Sequence, residues 1–444
     1  MSKPLVLVTG PVATRSGYGA HSRDICRSLI DMEKYDIKIF PVRWGTTPQN
    51  ALNEEDPNDK VIIDRLMKDV NLERQPDVHI HVVIPNEFQP VAKYNIGITA
   101  GIETTACPPE WIEGMNRMDL NIVPSKFAKE TLENMSFDRV DEQSKEKIGE
   151  LKVNKPIEVL FEGTDTNIFK KTKLFSKELT DKFSEIKEDF CFLFVGHWLQ
   201  GDLGNDRKDL GMLIKTFYET FKNTKKAPAL VVKASGATFS LMDRRDVLQK
   251  IEDIKESVDA KVLPNVYLIH GDFTDEEMNE MYNHPKIKAH VTFTHGEGFG
   301  RPLLEASISQ KPVIAPNWSG HVDFLSKNLS VLLGGTMKKV SKQSFQKGIY
   351  VKDSYWFTVN YQMASKILKN VFSNYKKFSL NSAKQGTLNN SKFSLDSMTK
   401  VFQKILDGNV PEFPQEVKLK LPKLKKVKDS EPPKITLPTL KKVN

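Results

Sequence analysis

The stretch Thr294-His295-Gly296-Glu297-Gly298-Phe299-Gly300-Arg301-Pro302-Leu303-Leu304-Glu305-Ala306 decides how this chain is read. The apolar run Val291-Thr292-Phe293 before it carries β-branched residues and predicts a buried strand. Three alternating glycines predict a turn. Pro302, followed by Leu-Leu-Glu-Ala, predicts the first turn of a helix. Strand, glycine turn and helix N-terminus together make a site for an anion. The glycines let backbone approach, while free amides and the helix dipole face the ligand. Glu297 in the turn and Glu305 in the helix add two carboxylates suited to hydroxyl groups.

A ligand with phosphates and many hydroxyls is a sugar nucleotide. The plainer alternative is a helix start with a glycine turn and no ligand. The pattern is longer and more specific than that alternative requires. It resembles the signature of the retaining glycosyltransferases of family 4, where two glutamates stand eight positions apart within G-E-G-F-G-x-P-x-x-E-A. That family has the GT-B fold, two Rossmann-like domains facing a central cleft. The resemblance spans roughly residues 1–408 and is strongest over 190–325. It implies that Glu305 accepts hydrogen bonds from a ribose, that Glu297 stands by the transferred sugar, and that the backbone of Gly296, Gly298, Phe299 and Gly300 meets sugar or phosphate. It also implies a front-face reaction with retention, in which the departing phosphate assists the incoming hydroxyl. Glu297 as a covalent nucleophile is the competing assignment. No metal and no cofactor is expected; the nucleotide sugar, a uridine diphosphate sugar by expectation, is a co-substrate.

The rest of the chain supports an α/β reading. Leu5–Thr9, 36–41, 78–84, 95–99 and 120–124 read as strands alternating with helical segments, which predicts parallel βαβ units. The segment Glu158–Phe169 resembles the family's strand leading to the interdomain linker, with Glu162 and Thr164 replacing the commoner residues. The pattern then restarts at 192–196, 229–233, 266–270, 289–294 and 312–315. The expected organisation is 1–170 as an acceptor domain and 171–390 as a nucleotide-sugar domain. A last helix over 391–408 crosses back to the first domain, as in the family, and 409–444 forms an extended tail.

Departing diphosphate needs fixed positive charge. Arg207-Lys208 precedes a helix, where such a pair is often only a solvated face. By the resemblance, Lys208 stands at the phosphate lysine. His197 occupies the usual arginine position, so Arg207 is the substitute. Lys233, ending a strand, is a further phosphate candidate. Gly17 and Gly19, in the loop between the first strand and helix, could admit phosphate, or simply form a tight loop. Arg15 in that loop and Glu103 after a strand are candidate acceptor contacts; Glu103 equally suits a helix cap. His79 and His81 alternate along one strand and read as packed side chains, since no set of ligands completes a metal site.

Composition narrows the field. The 444 residues include three widely spaced cysteines, Cys26, Cys107 and Cys191, which suit a reducing cytoplasm. No apolar run reaches the ~18 residues of a membrane span. The N-terminus reads as a strand and not as a signal peptide. The net charge is +8, and 418–444 holds nine lysines against Asp429 and Glu431, so the tail carries +7 and the body about +1. Within that tail Leu421-Pro422-Lys423-Leu424-Lys425-Lys426-Val427 recurs as Leu437-Pro438-Thr439-Leu440-Lys441-Lys442-Val443. Such a two-copy motif from Lys418 to Lys442 suits a polyanion, either DNA or an anionic membrane surface, or serves only solubility. The expected acceptor is a cell-surface or soluble glycan or a lipid-linked sugar. A phage-type DNA glycosyltransferase acting on hydroxymethylated pyrimidines is the alternative, weakened by the near-neutral body. A non-catalytic nucleotide-sugar-binding protein is the alternative of another class.

Overall fold

The computed structural model describes residues 3–413 apart from Val70, Glu73, Glu142, Asp202 and Ala237. The basic repeat of the tail lies outside the described residues. Lys3–Pro411 forms one compact unit built on two six-stranded parallel sheets.

The first sheet has the spatial order Asp36–Pro41, Leu5–Gly10, Val78–Val82, Tyr94–Ile98, Leu120–Val123, Ile157–Val159. Strands Val78–Val82 and Leu120–Val123 are buried along their whole length, as parallel strands covered on both faces are. Helix Gly17–Asp31 starts at Ser16, whose hydroxyl accepts from the Gly19 amide. Gly19 tolerates nothing larger, because an added Cβ would lie 2.2 Å from the Thr14 carbonyl oxygen. Helix Lys126–Glu133 is capped by Ser125 in the same way.

The second sheet runs Val266–Ile269, Ala229–Ser235, Cys191–His197, Ile287–Val291, Val313–Pro316, Val331–Leu333. The chain builds outward from Cys191–His197 to one edge, then returns to build the other half from Ile287–Val291. Those two neighbouring strands therefore flank a topological switch point, and ligands of doubly wound sheets bind beyond the carboxyl ends of such strands. A large apolar cluster on one face (Phe192, Phe194, Phe217, Phe221) and a second on the other (Leu193, Val231, Leu304, Phe324) fix the sheet between its helices.

Several elements differ from the sequence reading. The segment after the first lobe contains helix Lys177–Ser184, and where the sequence reading gives a last helix over 391–408 the chain closes with three helices, Tyr361–Ser373, Tyr375–Lys392 and Leu395–Asn409. An antiparallel hairpin, Gly335–Lys339 paired with Tyr355–Val359, interrupts the second α/β unit. The last helix lies along helix Gly17–Asp31 of the first sheet. Ser28 and Thr399 share a 2.8 Å hydroxyl contact and Lys34 meets Asp407 at 2.8 Å. A bridge between Thr164 and Ser394 fastens the crossing.

Candidate functional site

The carboxyl ends of the two switch-point strands deliver the charged groups. After Cys191–His197 the chain loops to Arg207-Lys208. Asp209 takes a left-handed conformation (φ 50°) before helix Leu210–Phe221. After Ile287–Val291 comes the glycine turn, and Gly300 (φ 97°) opens helix Arg301–Ile308. A left-handed residue just before a helix that carries a proline in its first turn calls for glycine.

These two turns meet. Lys208 Nζ lies 2.5 Å from Glu297 Oε1, and Arg207 Nη1 lies 3.7 Å from Glu297 Oε2 and 3.1 Å from Glu103 Oε1. Burial raises the Glu297 carboxyl, but Lys208 and Arg207 outweigh it and hold it down at about 2. Ser319 supports the arrangement from behind. Its hydroxyl accepts from the Glu297 amide at 2.9 Å, from a backbone at φ 77° that non-glycine residues rarely adopt.

Glu305, one turn into helix Arg301–Ile308, accepts from Arg301 Nε at 3.1 Å and from the Tyr282 hydroxyl at 3.2 Å. Burial nevertheless pushes its carboxyl up to about 7, against the opposing pull of Arg301. Arg301 also donates to Asp24 of the first helix, so its guanidinium bridges the two lobes. Glu162, at the end of the first lobe, is 7% exposed and is likewise raised to about 7 by burial, with Arg301 opposing. Asp24, Tyr282 and Ser319 escaped the sequence reading, and Arg301 and Glu162 were noted there without a role in the site. The available signals were the arginine inside the motif and the glutamate that departs from the family's linker pattern.

The glycines of the motif serve close approach between the lobes. A Cβ on Gly296 would lie 2.1 Å from the Glu103 carbonyl oxygen, and one on Gly298 would lie 1.9 Å from that of Ala100. Ser125 Oγ donates to the Gly298 carbonyl at 2.6 Å. The Phe299 ring packs inward against Phe324, with centroids 5.0 Å apart, leaving only its backbone for a ligand.

The remaining candidates occupy a second neighbourhood. Lys233 Nζ donates to the Gly271 carbonyl at 2.7 Å and sits over the rings of Phe273 and Phe239 at 4.9 and 5.5 Å. Arg15 reaches from the first lobe to Asp272 at 3.1 Å. Gly17 begins the first helix with open space around its α-carbon. His197 is exposed and touches Ser235 Oγ at 3.2 Å. His79 and His81 are buried in the first sheet, hydrogen-bonded around Gln89.

No protein-family model matches this chain, and no curated protein matches it. Solved structures do. The Anabaena protein HepE in complex with UDP-glucose superposes with a TM-score of 0.57 at 12% identity, covering 91% of this chain and 99% of that one. Sucrose-phosphate synthase from Thermosynechococcus elongatus gives 0.60 at 11%, covering 91% and 98%. A glycosyltransferase from Rickettsia africae gives 0.57 at 13%, covering 92% and 99%. At such identities the likeness defines the fold: two Rossmann-like lobes facing one cleft, the GT-B architecture.

Proposed function

We propose that this chain is a retaining glycosyltransferase that moves a sugar from a nucleotide diphosphate, a UDP-sugar, to an acceptor hydroxyl. The observation that carries the reading is the cluster Lys208–Glu297–Arg207 at the switch point, with Glu305 on the helix that follows the same turn. In this reading 1–170 is the acceptor lobe, 171–390 the donor lobe, and 391–408 the helix that returns to the first.

Each group has a part that its chemistry suits. Cleavage of the bond between sugar and diphosphate leaves negative charge on the departing oxygens. Lys208 and Arg207, already fixed in a site with little water, stabilise that charge as it develops without reorganising. Glu297, kept ionised by both cations, accepts hydrogen bonds from sugar hydroxyls and faces the positive charge of an oxocarbenium-like transition state. Glu305 accepts from the ribose hydroxyls, exchanging its present donors Arg301 and Tyr282 for them. HepE crystallised with UDP-glucose, which supports a UDP-sugar as the first donor to try.

The test is a thermal-shift and turnover screen of nucleotide sugars on wild type, Glu305→Ala and Lys208→Ala. A ligand that binds only the folded state raises its melting temperature. The reading requires one nucleotide sugar that stabilises and is consumed by wild type and is lost on both variants. If none binds, the transferase reading fails and a partner of the lysine tail becomes the protein's purpose.

A further inference from the structure

A cavity of about 430 Å³ lies against the first sheet, and none of the groups that meet at Glu297 lines it. Its floor is one face of three neighbouring strands, formed by Leu7 and Thr9, by Phe40, and by His79 and His81. Residues two apart on a strand share a face. Its walls come from the loops on either side of strand Val78–Val82, and no helix residue is in the lining among the described residues. Parallel strands of α/β proteins ordinarily carry helices on both faces. Here a hollow stands where that cover is expected.

The backbone of Gln89 sets the polar groups of the floor. Its carbonyl accepts from His79 Nδ1 at 3.1 Å, which leaves His79 Nε2 to accept from the Thr9 hydroxyl at 2.9 Å. Its amide donates to His81 Nδ1 at 3.2 Å. Burial lowers His81 to about 4, so the ring is neutral and its single proton is on Nε2. That N–H meets no acceptor among the described residues, although His81 is only 8% exposed. A donor this buried ordinarily has a partner. The one ionised side chain of the lining, Arg74, is already paired with Asp77 at 2.9 Å. A charged ligand would therefore shed its water without gaining a counter-ion of its own.

We propose that this cavity is a second binding site, for an uncharged and largely apolar small molecule that presents a carbonyl oxygen to His81 Nε2. The site is independent of the transferase reading and stands or falls without it. Leu7, Phe40, Met67, Leu72 and Val91 supply the apolar surface. Apolar walls with a few fixed polar groups, in a volume of about 300–1,000 Å³, are what small-molecule sites share. The His81 donor is held in one tautomer before any ligand arrives, so binding pays little to orient it.

The experiment offers the full chain three probes of one shape: 1-acetylnaphthalene, which is neutral with a carbonyl, naphthalene, which has no acceptor, and the anion 1-naphthoate. Binding is read by calorimetry and by melting temperature, which a ligand of the folded state raises. 1-Acetylnaphthalene should bind one to one, about fivefold tighter than naphthalene, the worth of one net hydrogen bond. 1-Naphthoate should bind no better than naphthalene. His81→Phe keeps a ring and removes the donor; it should bring 1-acetylnaphthalene down to the affinity of naphthalene and leave naphthalene unchanged. Met67→Trp fills the cavity from a loop and should abolish binding of both. If His81→Phe does not fold, the His81 Nε2 resonance of wild type gives the same answer, since it must shift with 1-acetylnaphthalene and not with naphthalene. Preference for 1-naphthoate overturns the proposal, as does 1-acetylnaphthalene binding no tighter than naphthalene, or binding that survives Met67→Trp. If no probe binds, water is the occupant and the proposal falls.

Discussion

Replacing Gly298 by alanine tests whether the signature glycines serve the joint between the lobes. The added methyl would sit 1.9 Å from the Ala100 carbonyl oxygen and 3.0 Å from its carbon, with backbone on both sides of the contact. Carbon atoms of that kind essentially never come closer than 3.0 Å, so the lobes must separate locally by about 1.1 Å, the difference of those two distances. Neither side can yield cheaply. The Gly298 carbonyl is held by Ser125 Oγ at 2.6 Å, and a Gly320 Cβ would already stand 2.0 Å from it. Overpacking of this sort costs about 1–3 kcal/mol of stability. Displacement of reacting groups by about 1 Å costs about 100-fold in rate, equivalent to about 2.7 kcal/mol in the barrier. Glu103 and Arg207, which join across the same seam, would part. The measurement is kcat for UDP-sugar transfer together with the melting temperature. Gly408→Ala serves as the control for folding, since nothing lies within 4 Å of its added Cβ. Wild-type kcat and stability in Gly298→Ala would refute the claim that interlobe contact is the reason for glycine there.

Three further outcomes are expected. Glu305, raised to about 7 by burial, must be ionised to accept from ribose; donor affinity measured by calorimetry should therefore rise about tenfold from pH 6 to pH 8, and Glu305→Gln should flatten the profile. Lys208→Ala strips a buried carboxylate, Glu297, of its nearest cation; thermal or urea unfolding should show a loss of about 3 kcal/mol, and the double variant Lys208→Met/Glu297→Leu should recover part of it. Ending the chain after Phe413 removes the nine lysines of 418–444; retention on heparin should fall sharply and lose most of its salt dependence, while turnover of a small acceptor stays at the wild-type value.

The glycine turn and the helix after it were legible because their signals are local. Strand, glycine turn and helix follow one another without interruption over 291–306, and each step has its own residue preference. Lys208 could be read only through resemblance, since a basic pair ahead of a helix is common and its contact with Glu297 spans 89 residues of sequence. What the chain did not announce depends on partners far apart. Arg301 sits inside the quoted motif, yet its bridge to Asp24 joins positions 277 apart and appears only once the lobes face each other. The hairpin Gly335–Val359 was missed for a different reason. Its first strand is exposed at every position, so no alternation of apolar and polar residues marks it. Ser319 carries no signal in sequence, because the Glu297 amide that its hydroxyl accepts from lies 22 residues earlier.

That hairpin has a kinetic consequence. It is covalently part of the second lobe, yet it bonds the first lobe three times: Trp111 to Gly348, the Thr105 amide to the Tyr355 carbonyl, and the Tyr355 amide to Thr105 Oγ1, each at 2.9 Å. Lobes that part to release a nucleotide must first break these bonds. At about 1 kcal/mol each, they shift the balance between open and closed forms by roughly 150-fold toward closed. On the proposed function, a cleft held shut this firmly at rest would shield a bound donor from water and slow the departure of the spent nucleotide, so the expected pace-setting step is release and not bond making.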